Sequence, residues 1–258
     1  MTNKEVFDLV ADFGVTMLSN GGELSRTKAT MENVAKHYNI KKVNTYIIAN
    51  GVFVTGETPN KETFITKVTD VPISPTNLCR VEAINDLSRK IALGNVKPEE
   101  AKKELEKIKT LNPYKPWLIT LATGVGSAAF CYIFKGTLYD CLACVPVGIL
   151  LNLFLMLLAK NKTMPKIVTT IFAGALVAVL CCLSVFCHFG NSVNSMIIGC
   201  IMPLVPGIPL TNAIRHFCDN DYLSGVIRLV DAVITAVSIA VGVGIVLMMW
   251  QSLIGGIL

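Results

Sequence analysis

Apolar and polar residues alternate in two different ways along this 258-residue chain. In the first part the apolar positions recur at helix or strand spacing. Val6, Leu9, Val10, Phe13 and Met17 mark one face of a helix over Lys4–Asn20, because residues three and four apart share a face. Gly21-Gly22 stops it. A second helix is expected over Lys28–Tyr38. Thr45–Ala49 and Val52–Thr55 flank Asn50-Gly51, a pair that favours a type I′ hairpin turn, and Phe64–Val68 reads as a third short strand. Asn77 caps a helix to about Leu93, closed by Gly94. Pro98 opens a charged helix with Glu99 and Glu100 in its first turn and lysines behind them, the order that the helix dipole favours. Residues 1–115 therefore predict one α+β domain of two helices, a small antiparallel sheet and two more helices.

After Leu111-Asn-Pro113-Tyr-Lys-Pro116 the periodic pattern gives way to long apolar runs. Five segments approach the ~20 residues that cross ~30 Å of hydrocarbon: Trp117–Phe134, Leu142–Ala159, Ile167–Phe189, Val193–Leu210 and Val226–Trp250. The fourth carries Pro203-Leu-Val-Pro206-Gly207-Ile-Pro209. Each proline removes a backbone donor and crowds the preceding turn, so this span is expected to be broken. A break at membrane depth survives only where it is packed in protein or lines a wet cavity, and such breaks hold substrate in many secondary transporters. The fold class predicted is an α-helical membrane protein, with a five-helix transmembrane domain over 116–258 behind a cytoplasmic α+β domain.

Charge sharpens this division. Up to Lys115 the chain carries 17 Lys/Arg and 14 Asp/Glu, and the remainder only 6 and 4. With 52% hydrophobic residues and a mean hydropathy of +0.57, the chain as a whole is too apolar for an ordinary soluble domain. The loop Lys160-Asn-Lys162-Thr-Met-Pro-Lys166 has three cations and no anion, and the last connection carries Arg215 and Arg228. The positive-inside rule puts these connections and the N-terminal domain in the cytoplasm and the C-terminus outside. The opening residues show no secretory signal.

The polar residues inside the apolar runs are few. Arg228, Asp231, Thr235, Ser238 and Gly242 share one face of the fifth span, with Ala232, Ala236, Ala240 and Gly244 repeating beside them. Small residues at that interval let another helix approach, and an ionisable residue in a span faces the bundle interior or water. Asp231 is open to two readings, a pathway acid or the partner of an interfacial Arg228. Arg215 is either an anion-attracting residue at the cytoplasmic mouth or a positive-inside anchor. Asn152 suits a helix-to-helix hydrogen bond. Seven of the nine cysteines sit in or beside apolar spans, where Cys acts as a small hydrophobe, and no metal site or cofactor is expected.

In the first domain, Asn20-Gly-Gly-Glu23-Leu-Ser25-Arg26 sets a carboxylate and a guanidinium three residues apart. This is either a charged-ligand site at a helix start or a helix stop followed by a local ion pair. No P-loop, Gly-x-Ser-x-Gly elbow or His-Glu-x-x-His occurs, which argues against ATP-driven transport by this chain and against enzymatic activity. The dispersed positive charge argues against nucleic-acid binding.

With Pro203–Arg215, Ser224-Gly-Val-Ile-Arg228 and the small-residue fifth span in view, the chain resembles the threonine/serine exporter family, and more closely the larger, five-span subunit of its split members. Gly21-Gly-Glu23-Leu-Ser25-Arg26 matches the family's glycine–glutamate–arginine motif, and Asn77-Leu-Cys-Arg80 through Ser88-Arg89 matches its second cytoplasmic signature. The resemblance implies export of small hydrophilic metabolites across a bacterial plasma membrane: threonine and serine by the long members, succinate by the split ones. It also implies a partner, a smaller multi-span membrane subunit. On this reading Pro203, Pro206, Gly207, Pro209, Thr211 and Asn212 offer backbone and polar groups to the substrate, Arg215 and Arg228 steer its carboxylate, and Asp231 is a coupling or gating acid. Two rivals are a membrane-anchored enzyme with chemistry at Glu23, Arg26 and His37, and a structural partner subunit of another transporter.

Overall fold

The computed structural model describes residues 2–57, 63–65, 69–71, 76–112, 114–160 and 164–254. They form two compact units, Met1–Pro113 with His216–Ile227, and Tyr114–Arg215 with Arg228–Leu258.

The first unit runs α1 (Asn3–Ser19), α2 (Leu24–His37), β1 (Lys41–Ile48), β2 (Gly51–Glu57), β3 (Thr63–Ile65), β4 (Thr69–Asp70), α3 (Leu78–Ala92) and α4 (Pro98–Thr110). Thr2 and Glu5 close a capping box on α1: the Glu5 amide donates to Thr2 Oγ1 at 3.3 Å and the Thr2 amide to Glu5 Oε2 at 2.7 Å. The bonds that the Thr2 amide and hydroxyl donate to its carboxylate hold Glu5 below its ordinary pKa. Phe13 and Met17 of α1 are fully buried with Met31 of α2, Val52 and Val54 of β2, Ile84 and Ile91 of α3 and Leu105 of α4. One core thus takes the apolar stripe of every helix and the inner face of β2.

β2 is the central strand, antiparallel to β1 along one edge and to β3 and then β4 along the other. The hairpin turn is displaced from its expected place. Ile48 pairs with Gly51, leaving Ala49 and Asn50 as the turn residues, and neither Asn50 nor Gly51 has the positive φ of a type I′ turn. The cause lies on the other edge: Gly51 also pairs with Asp70, and the Val71 amide donates to the Asn50 carbonyl at 2.8 Å. A second strand partner draws Gly51 into the sheet. The expected third strand is found as β3 at 63–65, while its continuation, 66–68, lies outside the described residues.

The second part of the chain forms α5 (Pro116–Ile133), α6 (Leu138–Lys160), α7 (Lys166–Phe186), α8 (Val193–Ile201), a 3-10 turn (Met202–Leu204), α9 (Gly207–Cys218) and α10 (Tyr222–Ile254). Four of these, α5, α6, α7 and α10, are long and apolar enough to cross a membrane, and α8 with α9 makes a fifth if the bent pair is one span. α5 packs on α6 and α8, and α7 packs on both of the latter. Among the residues at the centre are Leu151, Val177 and Met196 with Cys131, Cys144, Cys181 and Cys200. The Cys144 thiol donates to the Met196 carbonyl at 3.8 Å and the Cys200 thiol to the Cys144 carbonyl at 3.9 Å, so these thiols act as small hydrophobes with a weak donor. Outward, α10 exposes Val226, Val230, Val233, Val237, Val241 and Ile245, an apolar face suited to lipid rather than water.

Glycine sets two of the helix crossings. A Cβ on Gly199 of α8 would stand 2.7–2.8 Å from the Cys131 backbone N, Cα and Cβ of α5. Gly174 of α7 and Gly242 of α10 face each other's helix in the same way, the first 3.0 Å from the Ile239 carbonyl and the second against the Ile171 carbonyl. The face of α10 carrying Thr235, Ser238 and Gly242 is buried, as its polar spacing suggested.

Candidate functional site

The proline cluster breaks the helix where backbone chemistry demands it. α8 ends at Ile201, Met202–Leu204 tighten into a 3-10 turn, Val205 is extended, and α9 leaves at 60° to the preceding segment. Pro203 lies in the turn and Pro206 immediately before α9. Pro209 breaks nothing: it is the third residue of α9, where helix amides have no intrahelical partner and a missing N–H costs nothing. The local bonds are short-range, Val205 N to Met202 O at 3.2 Å and Gly207 N to Val205 O at 2.9 Å. Gly207 is exposed and a Cβ there would meet nothing within 4 Å. The Thr211 hydroxyl donates back to the Gly207 and Ile208 carbonyls at 3.0 Å each, so its proton is engaged by its own helix. Asn212 is half-buried and Arg215 exposed on the same helix.

Two open apolar grooves flank the break. One, of about 430 Å³, is lined by Ile201, Val205 and Pro206 against Ala236, Ala240 and Gly244 of α10. The other, of about 460 Å³, is lined by Met202 and Pro203 against Leu118, Ala122 and Gly126 of α5. The small-residue row on α10 thus divides by position. Ala232 is buried, whereas Ala236, Ala240 and Gly244 border a groove, and close approach to α7 is made by Gly242 instead.

Two carboxylates of the membrane helices are placed very differently. Asp140, in the first turn of α6, is fully buried. Its Oδ2 accepts from the Thr137 amide and hydroxyl, both at 2.8 Å, and its Oδ1 from the Asn191 and Ser192 amides at 2.5 and 3.1 Å. One carboxylate thereby closes the N-termini of both α6 and α8. The sequence does carry a local signal for this role, since Thr137-x-x-Asp140 ahead of an apolar run is a capping signature. Asp231, on α10, accepts from Lys166 Nζ of α7 at 2.7 Å, its one hydrogen bond among the described residues. Arg228 sits one turn before it, half-buried. The sequence offered Arg228 as the partner of Asp231; the fold also brings Lys166 to it, across 65 residues of sequence. Asn152 makes the expected bond between helices, its Nδ2 donating to Thr120 Oγ1 at 2.8 Å.

Comparison with known proteins agrees with this membrane architecture. A family model described as "Putative threonine/serine exporter" matches residues 8–250. The chain belongs to the threonine/serine exporter family. A curated relative from Mycobacterium tuberculosis (strain ATCC 25618 / H37Rv), named "Probable threonine/serine exporter", is 24% identical over 246 residues. That alignment covers 93% of this chain and 45% of the relative, so the chain spans about half the relative's length. No solved structure matches.

In this member of the exporter family, the two motifs of the first domain are drawn into its packing. Gly21 has φ +86 and a Cβ there would strike the Thr76 side chain at 2.6 Å, so the turn after α1 requires glycine. Glu23 is the N-cap of α2, which begins at Leu24, earlier than the predicted Lys28. Its Oε1 accepts from Ser25 Oγ at 2.8 Å and its Oε2 lies 3.7 Å from Arg26 Nε. Arg80 ties three segments together: Nε donates to the Leu111 carbonyl at 2.8 Å, Nη2 to Asn112 Oδ1 at 3.0 Å and Nη1 to Asn20 Oδ1 at 3.4 Å. Arg89 is exposed in the last turn of α3. His37 ends α2, edge-on to the Tyr38 ring at 5.3 Å and eleven residues beyond Arg26. Glu23, Arg26 and His37 are therefore not assembled into one site.

Proposed function

We propose that this chain is one half of a secondary exporter of small carboxylates or amino acids, working with a smaller multi-span subunit of the same family in a bacterial plasma membrane. The N-terminal unit lies on the cytoplasmic side in this reading and the C-terminus outside. The observation that carries it is the 60° break at Val205-Pro206 with an open apolar groove on each side. Breaks of this kind are tolerated at membrane depth where they line a cavity or meet protein. A structural anchor has no need of one. Among the described residues the grooves have no Asp, Glu, Lys or Arg in their lining, which suits completion by helices from a second subunit; a relative more than twice as long agrees with that.

The break supplies the substrate's surroundings through Pro203, Pro206, Gly207, Pro209, Thr211 and Asn212. Arg215 and Arg228 attract its carboxylate and Asp231 acts as the coupling acid. The substrate class is succinate-like for a split exporter and threonine or serine for a fused one. Efflux from cells preloaded with labelled succinate or threonine, with and without this chain and its companion, tests the reading. Export of one compound only when both proteins are present supports it and names the class. Pro203→Ala with Pro206→Ala tests the break itself. Normal export by that variant at normal expression removes the break from the mechanism.

A further inference from the structure

α3 and α4 pack together in the first domain, and between them runs an open groove of about 690 Å³. Its floor includes Leu87 of α3 and Ile108 of α4, only 3% and 6% exposed, with Val96 of the connecting loop beside them. Charged side chains stand at its lips, all of them exposed. On α4 they are already engaged: Lys107 Nζ lies 3.1 Å from Glu104 Oε2, and Glu100 Oε2 accepts from the Lys97 amide at 3.4 Å. On α3 they are not. Asp86 and Lys90 stand one turn apart, with the acid first, the order that pairs best on a helix. Yet neither has an ion pair or hydrogen bond among the described residues.

We infer that this groove is a binding site for a free α-amino acid with an apolar side chain. Asp86 takes its ammonium and Lys90 its carboxylate, while the side chain lies on Leu87, Val96 and Ile108. The site lies wholly within the first domain and does not depend on the exporter reading.

Size and lining favour a small molecule over a protein. Small-molecule sites occupy ~300–1,000 Å³ and combine apolar walls with a few polar groups. A protein partner needs ~800 Å² from each side, and a floor whose leucine and isoleucine are nearly buried has little apolar surface left to give. Charge then selects the class. An α-amino acid carries its ammonium and carboxylate on one carbon, so it answers two opposite charges one helical turn apart. A plain carboxylate or a plain amine answers only one of them. The floor offers no polar side chain, which favours an aliphatic side chain over a hydroxylated one.

The test is equilibrium binding of labelled leucine to the full chain in nanodiscs. Competitors are 4-methylpentanoate, which lacks the ammonium, and 3-methylbutylamine, which lacks the carboxylate. Each should compete about fivefold less well than leucine, the most that an exposed ion pair contributes. Asp86→Asn is expected to weaken leucine about fivefold and leave 4-methylpentanoate unchanged. Lys90→Gln should weaken leucine as much and leave 3-methylbutylamine unchanged. Both side chains are exposed, so both variants should fold, which thermal unfolding checks. Failure of the wild type to bind leucine overturns the site. Leucine binding that both variants retain in full lies elsewhere in the chain and overturns it too. If a variant does not fold, competition on the wild type decides alone, and analogues that match leucine overturn the site. Efflux of succinate or threonine is a separate readout, so none of these failures counts against the exporter reading.

Discussion

Asp140 and Asp231 are both carboxylates on apolar helices, and the difference between them separates a closed region of the membrane half from an open one. Asp140 accepts four hydrogen bonds and has no exposed surface. Among the described residues Asp231 accepts one, and its second oxygen has no hydrogen-bond partner. A buried charge with every lone-pair direction filled is a structural element, because any change of partner loses bonds. One with a partner missing has less to lose by moving. The same division holds for the backbone around them. α8 crosses α5 at a glycine with no room for a methyl group, whereas a few residues later Gly207 at the break faces open space. The chain is tight where α8 starts and loose where it breaks.

The largest effect expected from breaking this contrast is at the closed end. Asp140→Ala strands four donors at the starts of α6 and α8, and at about 1–3 kcal/mol for each unsatisfied buried group the loss exceeds ~3 kcal/mol even with partial relaxation. Asp231→Ala removes one half-exposed pair and costs about 1 kcal/mol or less. Thermal unfolding of the two variants in nanodiscs measures both. Equal destabilisation would show that the two carboxylates are not different in kind.

Glycine substitutions give the next largest contrast. Gly199→Ala forces α8 away from the Cys131 backbone and is expected to cost about 1–3 kcal/mol, the range for overpacking a filled interior. Gly207→Ala meets no neighbour and should stay within about 0.5 kcal/mol. If Gly199→Ala proved as harmless as Gly207→Ala, the α5–α8 crossing would be looser than its geometry.

The first domain offers the same comparison between two arginines. Arg80→Ala loses bonds to Leu111, Asn112 and Asn20 and should destabilise that domain by about 1.5 kcal/mol, the low end for bonds to a charged group because the side chain is part-exposed. Arg89→Ala removes an exposed side chain and should change little. Hydrogen exchange at the end of α4 in the full chain reads both. Faster exchange only in Arg80→Ala supports the tie, and equal rates in both variants would break it.

What could be read from the sequence was whatever is signalled locally. Asn77 and Pro98 begin their helices where predicted, since a cap or an N1 proline acts within one turn. The proline triplet marked the broken span, though it did not reveal that Pro209 is harmless in the first turn of α9. The missed features are those that two distant segments make together. Asp140 derives its role from the Asn191 and Ser192 amides, 51 and 52 residues on. Lys166 counted only as a loop cation until α7 and α10 were set side by side. The hairpin turn shifted because β4 competes for Gly51. In the candidate site, the break and Asp231 were legible, whereas the partner of Asp231 was not.

The smallest effect should also be the clearest in sign. Gly242 and Gly244 lie two residues apart on α10 and so on different faces of the helix. Gly242 is buried against the Ile171 carbonyl and the Ala175 amide nitrogen, whereas a Cβ on Gly244 would meet nothing within 4 Å. Alanine is the better helix former by up to ~1 kcal/mol, so Gly244→Ala should be neutral or slightly stabilising. Gly242→Ala gains the same propensity but must push α7 aside, and the crowding is expected to win. Opposite shifts in melting temperature would locate the α7–α10 crossing at Gly242 and leave Gly244 to the open groove. If Gly244→Ala lowered stability while expression and export were unchanged, the groove beside Pro206 would be filled rather than open, and the contrast between the closed and open regions would lose its second leg.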